Sequence, residues 1–100
     1  MATLQMNIQQ PANGNPVPQN FMVSGWVDPF ENVTLSAWIV MPNGTRVNGG
    51  VAPTANGWNI PLTFPGGGTG AFYNLTVRAT KTCALTGLTH SVTDQITVQY

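Results

Sequence analysis

A thiol, an imidazole and a carboxylate, Cys83, His90 and Asp94, lie close together near the end of this 100-residue chain. A thiolate–imidazole pair is a nucleophile only when a third group orients the base and an oxyanion hole receives the developing charge. The plainer expectation is a loop thiol beside a surface histidine, since the chain has one Cys and one His in all. A second group, Asp28, Glu31 and Asn32, offers oxygen ligands of the type Ca²⁺ takes. Calcium wants about six to eight oxygens, and Asp-Pro and Asn are ordinary turn formers. Zinc would lack ligands, with no second His or Cys. The third group is Gly66-Gly67-Gly68-Thr69-Gly70, which lacks the Gly-Lys-Ser/Thr ending of a phosphate loop and precedes no helix. No catalytic residue, metal or cofactor is therefore expected. Cys83 stays open between a free thiol and a crosslink to a neighbouring molecule.

Chemistry is scarce because charge is scarce. Charged residues make up 6% of the chain, three basic and three acidic with net charge zero, against about 25% in an average soluble domain. Arg46, Arg78 and Lys81 are too few to track a phosphate backbone, so nucleic acid is not an expected partner. No run of about 18 apolar residues exists to span a bilayer, and no basic amphipathic helix to lie on one. Residues 1–10 lack the basic and apolar regions of a secretory signal. The chain is then assembled without export, or is one domain cut from a longer exported protein. A surface near neutrality has little electrostatic protection against self-association, which suits a subunit of an array.

The apolar content, 42% with three Trp, argues for a packed core in a single domain spanning 1–100. Its pattern is period two, the mark of antiparallel sheets with one dry and one wet face. Leu4, Met6 and Ile8 alternate with polar residues over 3–9. A run of prolines then spans Pro11 to Pro18, favouring an extended crossing. Phe21, Val23, Gly25 and Val27 share a face. So do Val33, Leu35, Ala37, Ile39 and Met41 in the longest expected strand, 32–41. Pro42-Asn43-Gly44-Thr45 reads as a tight hairpin turn, returning over 46–51. Trp58, Ile60, Leu62 and Phe64 share a face of a strand whose Pro61 demands a sheet edge or a broken ladder. Tyr73, Leu75, Val77 and Ala79 point inward from 72–80. Residues 81–89 read as a connection, and Ile96, Val98 and Tyr100 as the last strand.

Three passages resemble the bacterial and phage Ig-like, fibronectin-III-like modules: Phe21-Met22-Val23-Ser24-Gly25-Trp26-Val27, Asn56-Gly57-Trp58-Asn59-Ile60-Pro61-Leu62, and Gly70-Ala71-Phe72-Tyr73-Asn74-Leu75-Thr76-Val77-Arg78-Ala79. The resemblance implies an all-β, seven-stranded immunoglobulin-like β-sandwich with Greek-key topology. It also implies that Tyr73 is a corner tyrosine whose hydroxyl ties its strand to the preceding loop. The paired Cys of antibody domains is missing, and Asp is too rare for the calcium linkage of many bacterial modules.

Alternation puts Trp26 and Trp38 on the faces opposite the dry sides of their strands, where an indole can receive a sugar ring or a protein. In a sandwich these two strands belong to different sheets, so no shared platform is expected. Leu4, Met6 and Ile8 fit either a strand of the domain or an arm added to a neighbouring subunit. The function expected is non-catalytic: a structural or adhesion module, a phage virion decoration or accessory protein docking on capsid or surface-array subunits or on copies of itself. Weak adhesion to host-surface glycans would accompany it. The alternative is a spacer or carbohydrate-binding domain from a secreted bacterial adhesin or glycoside hydrolase. Either places the protein on a virion, or outside the cell at its surface.

Overall fold

The computed structural model describes residues 4–83 and 85–100. Met1, the Thr3 start of the expected first strand and Ala84 of the expected connection lie outside the described residues. All regular structure among them is β: β1 Gln5–Gln10, β2 Asn15–Pro16, β3 Asn20–Asp28, β4 Val33–Val40, β5 Arg46–Val51, β6 Gly57–Thr63, β7 Phe72–Thr82 and β8 Thr89–Gln99. They form a three-stranded sheet in the order β1-β3-β6 and a five-stranded sheet in the order β2-β8-β7-β4-β5. The inner faces of the two sheets share one core.

The strands are eight and not the expected seven. The additional one is β2, inside the proline run, which pairs parallel with Val98 and Gln99 of β8. Proline cannot donate to a ladder, so the Gly14 and Val17 amides on either side do so, onto the Thr97 and Gln99 carbonyls. This segment carries the chain from the edge of the small sheet to the edge of the large one. The last hairpin also differs from expectation. β7 and β8 are the longest strands, 11 residues each, and pair as far as Thr82 with Thr89. Residues 89–95 hold a single aliphatic side chain, Val92, and so carry no legible dry face. β-branched Thr and the neighbouring β7 extend the strand regardless.

Period two sets the core. Val23 and Val27 of β3, Val33, Leu35, Ala37 and Ile39 of β4, Trp58, Ile60 and Leu62 of β6, and Leu75, Val77 and Ala79 of β7 are all buried. Each large aliphatic side chain so removed from water contributes about 1.5–3 kcal/mol before the entropy of ordering is subtracted. Trp58 has one cost attached, because its indole nitrogen is buried without a hydrogen-bond partner. Pro61 lies on β6, an edge strand, opposite Met22. In the β4–β5 turn Gly44 donates to the Met41 carbonyl and alone of its pair with Asn43 takes positive φ, +88°. Asn43 instead accepts the Thr45 amide through its side chain.

The two sides of the sandwich are sealed differently. On one, Gly49 of β5 lies against β6. A methyl group there would sit 2.7 Å from Ile60 and 2.9 Å from Leu62. On the other, Asp94 of β8 points inward and its carboxylate accepts the backbone N–H of Ile8 in β1 at 2.9 Å. One end of the sandwich is closed by aromatic rings. Phe64 is fully buried and stacks on Tyr100 at 4.0 Å and on Phe21 at 5.7 Å, with Tyr73 tilted against it at 5.5 Å.

Candidate binding faces

The glycine loop is the first grouping the structure resolves. The amides of Thr69, Gly70 and Ala71 all donate to the Tyr100 carbonyl, at 3.0–3.1 Å. The Tyr100 hydroxyl donates to the Gly66 carbonyl. Gly68 admits this wrap because a Cβ would lie 2.8 Å from the Tyr100 backbone. Converging amides of this kind suit an anion, but here the chain itself occupies them. The tie from a strand to the preceding loop, expected of Tyr73, is made by Tyr100, and the Tyr73 ring packs on Phe64 instead.

Cys83, His90 and Asp94 are dispersed along the β7–β8 hairpin. His90 is registered against Lys81. Both Asp94 oxygens are engaged, by the amides of Ile8 and Gln95. Cys83 sits in the turn, its amide donating to Leu88 and its carbonyl accepting from Gly87. Hydrogen bonds from the Thr86 hydroxyl first, then from the Thr86 and Leu85 backbone, hold its thiol below the ordinary cysteine value. The thiolate fraction at neutral pH is raised accordingly. The pH–rate profile of iodoacetamide alkylation should therefore rise at lower pH than for a free cysteine, and Thr86→Ala should move it back upward. A profile unchanged by that substitution would show the hydroxyl to be irrelevant.

In the turn before β4, Asn32 takes a left-handed φ of +59°, Asp28 accepts from the Asn56 side chain, and the Glu31 carbonyl accepts from Lys81. Among the described residues no three His, Cys, Asp or Glu gather as metal ligands.

The other named residues separate clearly. Leu4 is buried, and Met6 and Ile8 pack half-buried on the same core, in a strand paired antiparallel with β3 of the same chain. Trp26 and Trp38 are both half-buried and point outward from opposite sheets. Trp26 stands on the three-stranded face, across from Asn7 and Gly57. Met22, 52% exposed, lies on the same face beside a recess of about 300 Å³ that Pro61 helps to line.

Trp38 has a different setting. Asn48 of β5 and Thr76 of β7 oppose it directly. Arg46 and Arg78 come diagonally from the same two strands, their guanidinium carbons 5.9 and 5.5 Å from the indole centroid. Such contacts hold a guanidinium against the ring at a gain of about 0.5–1 kcal/mol on a surface. Beside Trp38 is a recess of about 390 Å³ lined by Val40, Pro42, Phe72, Asn74, Thr76 and Gln95, among others. Val40 and Phe72 are 52% and 61% exposed. Sequence alternation points to Trp38 but not to the arginines, which reach it only through cross-strand register. No protein-family model, curated protein or solved structure matches the chain.

Proposed function

We propose that this chain is a non-catalytic module of the Ig-like, fibronectin-III-like kind that docks on a larger assembly and displays a second face to a surface glycan. The strand order, with β6 returning beside β3 and β7 beside β4, supports the Greek-key Ig-like reading. The observation that carries the function is the pair of outward tryptophans on opposite sheets with unlike surroundings. On the three-stranded face Trp26 stands among Asn7, Gly57, Ser24 and Asn59, with Met22 and Pro61 further along the same face and no basic residue among them. A mixed, neutral surface of this kind has the composition of a protein contact. Around Trp38 the face is rich in Asn, Thr, Gln and Arg, the groups that meet sugar hydroxyls. A virion decoration protein needs both, one face to hold and one to present.

Sedimentation from micromolar to millimolar concentration tests the docking face. A discrete oligomer in the native chain, dispersed by Met22→Glu and retained in Val40→Glu, is the expected result. The reverse pattern would move the protein contact to the large sheet. A monomer throughout would favour the spacer or carbohydrate-binding domain, which the elongated 47 × 24 × 17 Å shape also suits.

A further inference from the structure

We propose that the ligand of the five-stranded face is an acidic saccharide, bound through its carboxylates by Arg46 and Arg78 with a sugar ring in the recess beside Trp38. The inference rests on the glycan reading of that face and adds the charge of the ligand. Two of the chain's three cations stand there. All three of its Asp and Glu residues are elsewhere: Asp28 and Glu31 lie at the β3–β4 turn, and Asp94 turns inward to the Ile8 amide. A chain of zero net charge therefore presents one locally positive face. Its guanidiniums are steadied by an indole and free of the face's own acids. Guanidinium is the donor best matched to a carboxylate, through paired N–H bonds.

The rest of the face selects the class of anion. Nucleic acid would need a longer run of cations than two. An acidic peptide has no use for a ring-sized recess lined by Asn74, Thr76 and Gln95. A pyranose uses all of it. Its hydroxyls meet the amide and hydroxyl groups, and its apolar C–H face meets Phe72 and Val40.

Titration by NMR or calorimetry with oligogalacturonate and with oligomeric sialate tests the proposal, with a neutral galactose oligomer and oligoglutamate as comparisons. At least one acidic saccharide should bind more tightly than both comparisons, with affinity falling as salt is added. Arg46→Gln and Arg78→Gln should each weaken binding about tenfold or more, leaving the circular dichroism spectrum unchanged and lowering the melting temperature by no more than about 8 °C, the loss of one surface contact with Trp38. Lys81→Gln, remote from the face, should have no such effect. Equal binding of the neutral oligomer, unaffected by the arginine substitutions, would overturn the acidic assignment while leaving a glycan module in place. Acidic-saccharide binding that survives the double arginine substitution would overturn the site. Tighter binding of oligoglutamate would overturn the ligand class. Failure of all four probes would overturn both this inference and the glycan reading beneath it.

Discussion

Phe64→Ala is expected to lower stability by about 3–5 kcal/mol, the range for a large aromatic side chain lost from a core. The ring is fully buried and touches Phe21 from its own sheet and Tyr73 and Tyr100 from the other. Removing it leaves a void bounded by three rings whose backbones belong to different strands, so collapse would have to draw two sheets together. Stacking beyond simple burial adds about 0.5–1.5 kcal/mol per aromatic pair. A domain of this size has about 5–15 kcal/mol in total. A fall in the urea midpoint at unchanged slope measures the loss. Hydrogen exchange should accelerate first at Thr69, Gly70 and Ala71, whose amides depend on Tyr100 staying in place. A loss below about 1 kcal/mol would mean that the ring cluster is not the closure described.

Gly25→Ala should cost about 3 kcal/mol or more, at the upper end of overpacking effects. The added methyl group would fall on the Asn7 carbonyl oxygen, well inside contact distance, and 2.6 Å from the Trp58 ring. A side chain can rotate aside, but a carbonyl in the β1 ladder moves only if the strand moves. Trp58→Phe should therefore fail to rescue Gly25→Ala. The amides of β1 should lose protection before those of β4 and β7. Gly49→Ala serves as the contrast. Its methyl group would meet Ile60 at 2.7 Å, Leu62 at 2.9 Å and the Pro61 carbonyl oxygen at 2.9 Å. Two side chains and the edge strand β6 must therefore give a little, less than β1 must at Gly25, and a loss of about 1–3 kcal/mol is expected there. Equal costs at the two positions would show that the Asn7 carbonyl is no harder an obstacle than the Pro61 carbonyl.

What was legible in the sequence is what period two encodes. The buried faces of β3, β4, β6 and β7 follow from alternation alone, because one face of each strand must leave water. Pro61 narrows β6 to a sheet edge or a broken ladder, of which the edge is found, and the β4–β5 turn follows from Asn43-Gly44. Legibility ends where the partner is remote. β2 consists of two residues in a proline run, and its pairing depends on the carbonyls of β8 more than on its own side chains. The start of β8 has no dry face. The amides of the glycine loop are backbone groups and carry no sequence signal of their acceptor. Trp38 could be placed on an outer face, but Arg46 and Arg78 are brought to it by registers across two ladders. Asp94 shows the same limit, since its amide partner lies 86 positions away.

That carboxylate bears on why the protein need not stick to itself indiscriminately. β1 is an outermost strand, and the outward-facing amides of such a strand are a template on which a foreign strand can grow. The Ile8 amide is already taken by Asp94, and a strand arriving there would have to displace a charged acceptor and leave that charge near the core. Net charge, the usual guard against aggregation, is zero in this chain. One inward-turned acid at the seam supplies part of that protection by geometry, on the edge where β1 would otherwise offer its Ile8 amide to a neighbour.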